Sequence, residues 1–414
     1  MYEVVIIGAG ISGLYSAKLL LEKGITDICI IDKSNKIGGL IDTRFKNIKG
    51  RQSVKYEAGP AVLYSYQKNM LRLIEEYDIS MFKIKLKHNS IIYHCENGYH
   101  QKMITKRPYY LFKKVFSFIK SNDKQEMRKY SFYQVCQLVL GNEKTNFLQL
   151  CYGFNLDFKE GNAVSTMKNI ENEILNSKEM YFFKNGYQDV VDNLYDTIKS
   201  QIDVFLDQEI ESFTSDENNV RIFIKNHPSI MTKKLICTIP KESLLKLKNT
   251  FSFKEQQLLD SVKGGSLCRL FVQFDMTKKK NLWLKDIEVS RVDNPLGFII
   301  PIKKNVGLFQ ISYTDWFLAD YWGKLNNNQW KELVKIFLGE IFCNQDIDDP
   351  IWCKKIYYKN AVHVWKPNYD EEILYNKILH MRKNVFIGGE SYSKHQGWSE
   401  GAIKTSIDIV DKIN

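Results

Sequence analysis

Residues 3–8, Glu-Val-Val-Ile-Ile-Gly, form a short β-branched apolar run, and from Ile11 the apolar residues recur at helical spacing until Gly24 stops them. A second apolar run, Ile28 to Asp32, completes a strand, helix, strand unit. At the other end, Val385-Phe-Ile-Gly-Gly-Glu390 reads as a buried strand ending in glycines. From Gly401 onward a helix is predicted, with apolar positions at 403, 407 and 410. This tail is expected to return to the N-terminal unit. Between the ends, Gln67 to Tyr77 has a helical pattern, and Phe182 to Asn193 reads as a glycine turn leading into a helix. Val204–Ile210 followed by Val220–Ile224 predicts a hairpin, and Lys234 to Pro240 a strand closing the same sheet. Pro108 opens a helix whose stripe is Phe112, Val115, Phe116 and Ile119. The pattern predicts an α/β fold with an α+β part.

Between the first strand and helix lies Gly8-x-Gly10-x-x-Gly13. Such glycines permit a tight turn, close approach of a pyrophosphate and tight helix packing, while the helix N-terminus offers amides and a positive dipole. Asp32, ending the second strand, is placed to accept hydrogen bonds from an adenosine ribose. A dinucleotide is therefore expected, bound by a Rossmann-like domain. Gly38 and Gly39 put bare backbone just after the ribose-binding strand, and Tyr56-Glu-Ala-Gly-Pro60 supplies a third small-residue turn. Three such loops suit extended FAD better than NAD.

The motifs GAGISGL, IID, GGLIDTRF, YEAGP, FIGGE and GWSEGAI, in that order along nearly the whole chain, resemble the flavin-containing amine oxidase family. The resemblance implies a discontinuous FAD domain, residues 1–78, 181–269 and 373–414, interleaved with a mixed-sheet-plus-helices substrate domain, residues 79–180 and 270–372. It implies cofactor contacts at Gly8, Gly10, Ile11, Ser12, Gly13, Asp32, Lys33, Gly38, Gly39, Leu40, Gly59, Pro60, Ile210, Gly389, Glu390, Trp398, Ser399 and Ala402. Glu390 matches the glutamate at the ribityl or phosphate region, and Trp398 the aromatic that walls the substrate channel over the flavin. The implied reaction passes hydride from the carbon beside an amine to the flavin, with oxygen as acceptor and peroxide as product. The family lysine joined through water to flavin N5 is matched by Arg269, which stays charged and excludes a base role. Ala61 and Val62 stand where L-amino-acid oxidases have a carboxylate-gripping arginine, and Lys359 to Pro367 holds no cysteine for a covalent flavin. Noncovalent FAD is expected, with His363 or Trp365 as the second wall. Two other readings stay open: a flavin dehydrogenase or desaturase acting on a carbon skeleton, and a flavin-binding module without catalysis.

Lysine plus arginine exceeds aspartate plus glutamate by 59 − 48 = 11. The excess is spread along the chain and reads as a solvated surface. One block, Gln101 to Tyr130, interleaves basic and aromatic residues. A nucleic-acid or membrane-surface role there is weighed against a packed helix, and the packed helix is favoured. The eight cysteines lack a C-x-x-C pair and are read as free thiols, with no metal site expected. With no signal-peptide pattern and no run of eighteen apolar residues, a soluble cytoplasmic protein is expected.

Overall fold

The computed structural model describes residues 1–48, 51–85, 89–96, 99–106, 108–342 and 345–413. The chain divides into two compact units: Met1–Lys85, Lys168–Gly264 and Val362–Asn414 form the first, and Leu86–Met167 with Gly265–Ala361 form the second. The borders differ by several residues from those expected at 78, 181, 269 and 373. One cause is local: Met81–Lys85 pairs antiparallel with Glu179–Phe183, which keeps both strands in the first unit.

In the first unit, β1 (Tyr2–Ile7), α1 (Ile11–Glu22) and β2 (Ile28–Ile31) follow the sequence pattern. β1 runs parallel to β2 on one side and to Ile230–Cys237 on the other. Val385–Ile387 adds parallel to Ile230–Cys237, with Leu235 opposite Val385. The four β1 residues from Val4 onward and the four β2 residues are all apolar and buried, as a sheet covered on both faces requires. One apolar cluster, including Val4, Ile6, Leu14 and Ile403, lies under α1 and the helix Ser399–Val410; a second, including Val5, Ile7 and Val385, lies on the other face.

The expected hairpin needs correction. Asp203–Phe205 leaves it and joins β2 in parallel, while the hairpin is Ile210–Ser215 with Val220–Ile224. Val204 can satisfy either partner by local pattern, and the vacant edge of β2 takes it. The C-terminal helix also starts earlier than Gly401, with Trp398 as its N-cap residue.

The second unit is built on a sheet in which Val262–Gln273, Leu308–Asp315, Phe298–Lys303, Ser290–Val292, Asn89–Glu96 and Tyr99–Lys106 lie side by side in that order. One face packs on a core including Cys268, Leu270, Phe309 and Trp322. The helix opened by Pro108 runs Tyr109–Ser121 and buries the expected Phe112, Val115, Phe116 and Ile119. That stripe is packed within the unit; Arg107 of the basic block lies outside the described residues. No helix among the described residues is long and apolar enough to cross a membrane.

Candidate functional site

The glycine loop is assembled as its spacing implies. Gly8 has φ +111°, and a Cβ there would meet Thr238 Oγ1 at 2.6 Å. A Cβ on Gly13 would meet the Gly8 carbonyl oxygen at 1.9 Å, so α1 can start beside β1 only with glycine. Gly10 is different, because a Cβ there would find only Gly39 Cα, at 4.0 Å. It borders open space at the N-terminus of α1, where no described side chain caps the helix. Gly10 bridges Gly38 in parallel, and the Gly38 amide donates to Ala9 O at 2.8 Å, so the second loop crosses directly over the first. Gly59 completes the crossing: its Cβ would lie 1.6 Å from Leu40 O, and Pro60 follows it.

Asp32 ties these loops together. Its Oδ2 accepts from the Ala9 amide at 2.7 Å and its Oδ1 from Ser34 at 2.7 Å. The Asp32 carbonyl accepts from Gln208 N, which brings the turn before Ile210 alongside. An open depression beside it is lined by Lys33, Asp207, Glu209, Lys225, Asn226 and His227. These residues fit a dinucleotide: a helix N-terminus with open glycine at the phosphates and a carboxylate with backbone groups at the adenosine end.

The C-terminal segment meets the same loop. Ser12 Oγ donates to Ala402 O at 3.1 Å and lies 2.9 Å from Ser406 Oγ, so the side chain of Ser12 binds two helices together. Ile11 is likewise buried in the core, leaving its backbone. Gly389 has φ +97°, and its amide donates to Thr405 Oγ1 at 2.9 Å. Ser399 Oγ accepts from the Tyr187 hydroxyl at 2.8 Å.

Glu390 sits at the end of the glycine strand and is held by its own chain. Its Oε1 accepts from the His363 amide at 3.0 Å and the Gly397 amide at 2.6 Å, and its Oε2 lies 2.8 Å from His363 Nδ1. The other ring nitrogen of His363 lies 3.0 Å from Glu242 Oε2. Burial works against a charged imidazole, but Glu390 and Glu242 outweigh it and hold the His363 pKa up at about 9. Burial likewise pushes the Glu242 carboxyl up, and His363 brings it below the usual range. His363 is thus a cation between two carboxylates rather than an aromatic wall.

Trp365 is also not a wall. It is fully buried in the core, its indole N–H donating to Ser393 O at 2.9 Å and its ring edge-on to Tyr392. An aromatic residue ahead of Pro367 has the right local pattern, but its indole N–H is taken by Ser393 O and its ring by Tyr392 in the core.

Trp398 stays partly exposed, and the structure surrounds it with residues that no sequence motif singled out. Tyr64 packs edge-on to it at 5.2 Å, Tyr66 stacks near Tyr64, and His395 lies by Tyr66. The Trp398 indole N–H donates to Glu173 Oε1 at 2.7 Å, from a π-helical turn, Asn172–Asn176, of a kind that recurs at functional sites. The aromatic doublet Tyr64-x-Tyr66 directly after Pro60 was the available signal. Glu242 had none, standing 121 residues from His363 on a four-residue helix.

Arg269 lies in the second unit, buried on the strand Val262–Gln273 and 4.3 Å from the ring centre of Tyr313. Among the described residues no group of three His, Cys, Asp or Glu side chains is placed to hold a metal ion. The six cysteines at 29, 136, 151, 237, 268 and 353 are free thiols, and Cys343 lies outside the described residues.

A family model described as flavin containing amine oxidoreductase matches residues 11–414. The chain belongs to that family. Among curated members of the flavin amine oxidoreductases, a flavin-containing amine oxidase of Danio rerio is 27% identical over 92 residues, which is 22% of this chain and 17% of the relative. A tryptophan 2-monooxygenase of Allorhizobium ampelinum is 42% identical over 78 residues, 19% of this chain and 10% of the relative. Both matches take in less than a fifth of the relative's own length. A Bacillus subtilis chain with the provisional name L-amino-acid oxidase is 21% identical over all of this chain and 94% of its own. The fold is shared with putrescine oxidase, at TM-score 0.76 and 13% identity over 100% of this chain and 98% of that one, in a structure with putrescine bound.

Proposed function

We propose that the protein is an FAD-dependent oxidoreductase of the amine oxidase type, holding its flavin noncovalently. FAD, when bound, supplies a hydride acceptor for the carbon beside a neutral amine and a relay of two electrons to oxygen, giving peroxide and an imine that hydrolyses. The amides at the start of α1 and the open face of Gly10 take the pyrophosphate, and Asp32 orients the ribose. The N-terminus of Ser399–Val410 would offer its positive dipole to negative charge on the reduced flavin. Glu390 and Gly389 serve the ribityl region, with His363 fixing the Glu390 carboxylate. Trp398, with Tyr64 and Tyr66, forms an apolar aromatic wall that excludes water from the reacting carbon. Arg269, at the position matching the family lysine, acts as a fixed cation and hydrogen-bond donor and takes no proton.

The observation that supports this reading most is the crossing of Gly10 by Gly38 and Gly39 at an uncapped helix N-terminus, in a chain matched by the family model from residue 11 to its end. The test is the visible spectrum of the purified full chain, before and after anaerobic addition of an amine panel. A flavin spectrum that bleaches with an amine, and returns with oxygen as peroxide appears, is expected. A flavin spectrum unmoved by every amine removes the amine oxidase assignment, and a chain that takes up no FAD removes the flavoprotein one.

A further inference from the structure

A small sheet in the first unit carries apolar residues on both of its faces. Leu63–Tyr64, Glu179–Phe183 and Met81–Lys85 lie side by side in that order. Leu63 and Phe183 belong to the buried apolar cluster of this unit, with Met81 and Tyr181 packed against it. Alternation therefore turns Tyr64, Phe82, Ile84, Met180 and Phe182 to the other face. They form one continuous surface: Phe82 pairs with Phe182 and stacks on it at 5.3 Å, Ile84 pairs with Met180, and Met180 pairs in turn with Tyr64. Phe82 is 47% exposed and Ile84 43%, and the other three are partly exposed. Scattered exposed apolar residues are ordinary, whereas a joined patch marks an interaction surface. Met81–Lys85 is also an edge strand, with no further neighbour among the described residues.

The charge around this patch has one sign. Lys178 and Lys85 stand at one end of the paired strands and Lys184 at the other, all exposed. Their ammonium groups make no ion pair among the described residues. The one carboxylate on the three strands, Glu179, is already used: it accepts from the Tyr181 hydroxyl at 2.9 Å and pairs with Lys83 at 3.1 Å. An apolar face bordered by such lysines matches the boundary of an anionic lipid leaflet, where rings and aliphatic chains enter below the headgroups and ammonium groups stay among the phosphates. A second copy matches it badly, because pairing this edge with itself brings the lysines of the two strands together.

We propose that the outer face of this sheet docks the protein peripherally on an anionic membrane surface, with Phe82 and Ile84 inserted and Lys85, Lys178 and Lys184 among the headgroups. The inference does not rest on the amine oxidase reading. Docking brings the aromatic wall close to the lipid, since Tyr64 at the border of the patch lies edge-on to Trp398 at 5.2 Å.

Co-sedimentation of the full-length protein with vesicles tests it, using phosphatidylcholine alone and phosphatidylcholine mixed equally with phosphatidylserine. The mixed vesicles are expected to take up the protein at least tenfold better, with roughly a fivefold loss for each lysine removed in the triple variant Lys85→Gln, Lys178→Gln, Lys184→Gln. Phe82→Ser with Ile84→Ser leaves the charge unchanged and is expected to weaken uptake about tenfold. The control triple Lys246→Gln, Lys248→Gln, Lys254→Gln removes as much charge from exposed positions elsewhere in the unit and is expected to cost far less. Phe82→Trp, which keeps a ring on Phe182, covers the case in which the serine variant does not fold: its added emission is expected to shift to the blue and to be quenched by brominated acyl chains. Equal uptake by both vesicles, undiminished uptake in the serine variant, an equal loss in the control triple, or a Phe82→Trp signal unmoved by lipid overturns the proposal. A dimer in solution that the serine variant breaks, without vesicle uptake, overturns it in favour of a second copy.

Discussion

At the residue scale, the glycines of the first loop separate two roles that share one motif. Gly13 has no room for a Cβ against Gly8 O, whereas Gly10 has only open space beside it. Gly13→Ala is therefore expected to destabilise the flavin-free protein, while Gly10→Ala leaves its urea midpoint nearly unchanged and weakens FAD binding at least tenfold. Equilibrium unfolding without flavin and FAD titration by fluorescence quenching separate the two outcomes. His363 carries a pH dependence of defined sign. Its folded pKa of about 9 lies above the ordinary histidine value, so its contribution to stability is complete below about pH 6.5 and is lost as pH rises through about 9. Melting temperatures from pH 6 to 10 should fall across that window, and His363→Asn should flatten the curve at a lower level, since it leaves Glu242 and Glu390 facing each other without a cation. Arg269→Lys places a group that can lose its proton where arginine cannot. The rate of amine-driven flavin reduction is expected to gain a second alkaline transition, beside the one set by the amine's own proton, read by stopped-flow absorbance.

At the scale of elements, the helix Ser399–Val410 does more than present an N-terminus. Glu400, 5% exposed, reaches to the helix α2 (Lys68–Glu76), whose own N-cap Gln67 makes no side-chain cap. Glu400 Oε1 accepts from the Asn69 amide at 3.2 Å and Oε2 from the Met70 amide at 2.9 Å. These are amides that a helix start leaves without intrahelical partners. Glu400→Ala should cost about 0.5–2 kcal/mol in chemical denaturation, the range for lost N-caps. The sequence pattern showed both helices, yet nothing in it joined them, because capping from 331 residues away depends on the return of the chain. The hairpin reading failed for a related reason. Val204 and Ile210 both have strand pattern, but β2 offers an open parallel edge to one and Val220–Ile224 an antiparallel partner to the other.

At the scale of the molecule, the formal charge of +11 arises from lysines and arginines along the whole chain, and the aromatic stripe of the basic segment is packed inside the second unit. Stability is expected to be linked to flavin. FAD at a hundred times its Kd should stabilise the protein by about 2.7 kcal/mol, visible as a concentration-dependent melting temperature. With no covalent bond expected, the flavin should pass a filter after denaturation; retention with the chain would contradict noncovalent binding.

What the sequence by itself determined was the local chemistry. The strand, Gly8-x-Gly10-x-x-Gly13, helix and Asp32 lie within 30 residues, so spacing and residue type suffice to place a phosphate cradle, and the ordered later motifs carry the family. Only the tertiary structure decided which side chains meet. Trp365 is held in the core by Ser393 O and Tyr392, and His363 became a cation because Glu242 and Glu390 converge on it from distant elements. Tyr64, Tyr66 and Glu173 reached Trp398, and Arg291 reached Phe298, through sheet register and loop anchoring. Those contacts are products of packing, which a one-dimensional pattern constrains only within a single element.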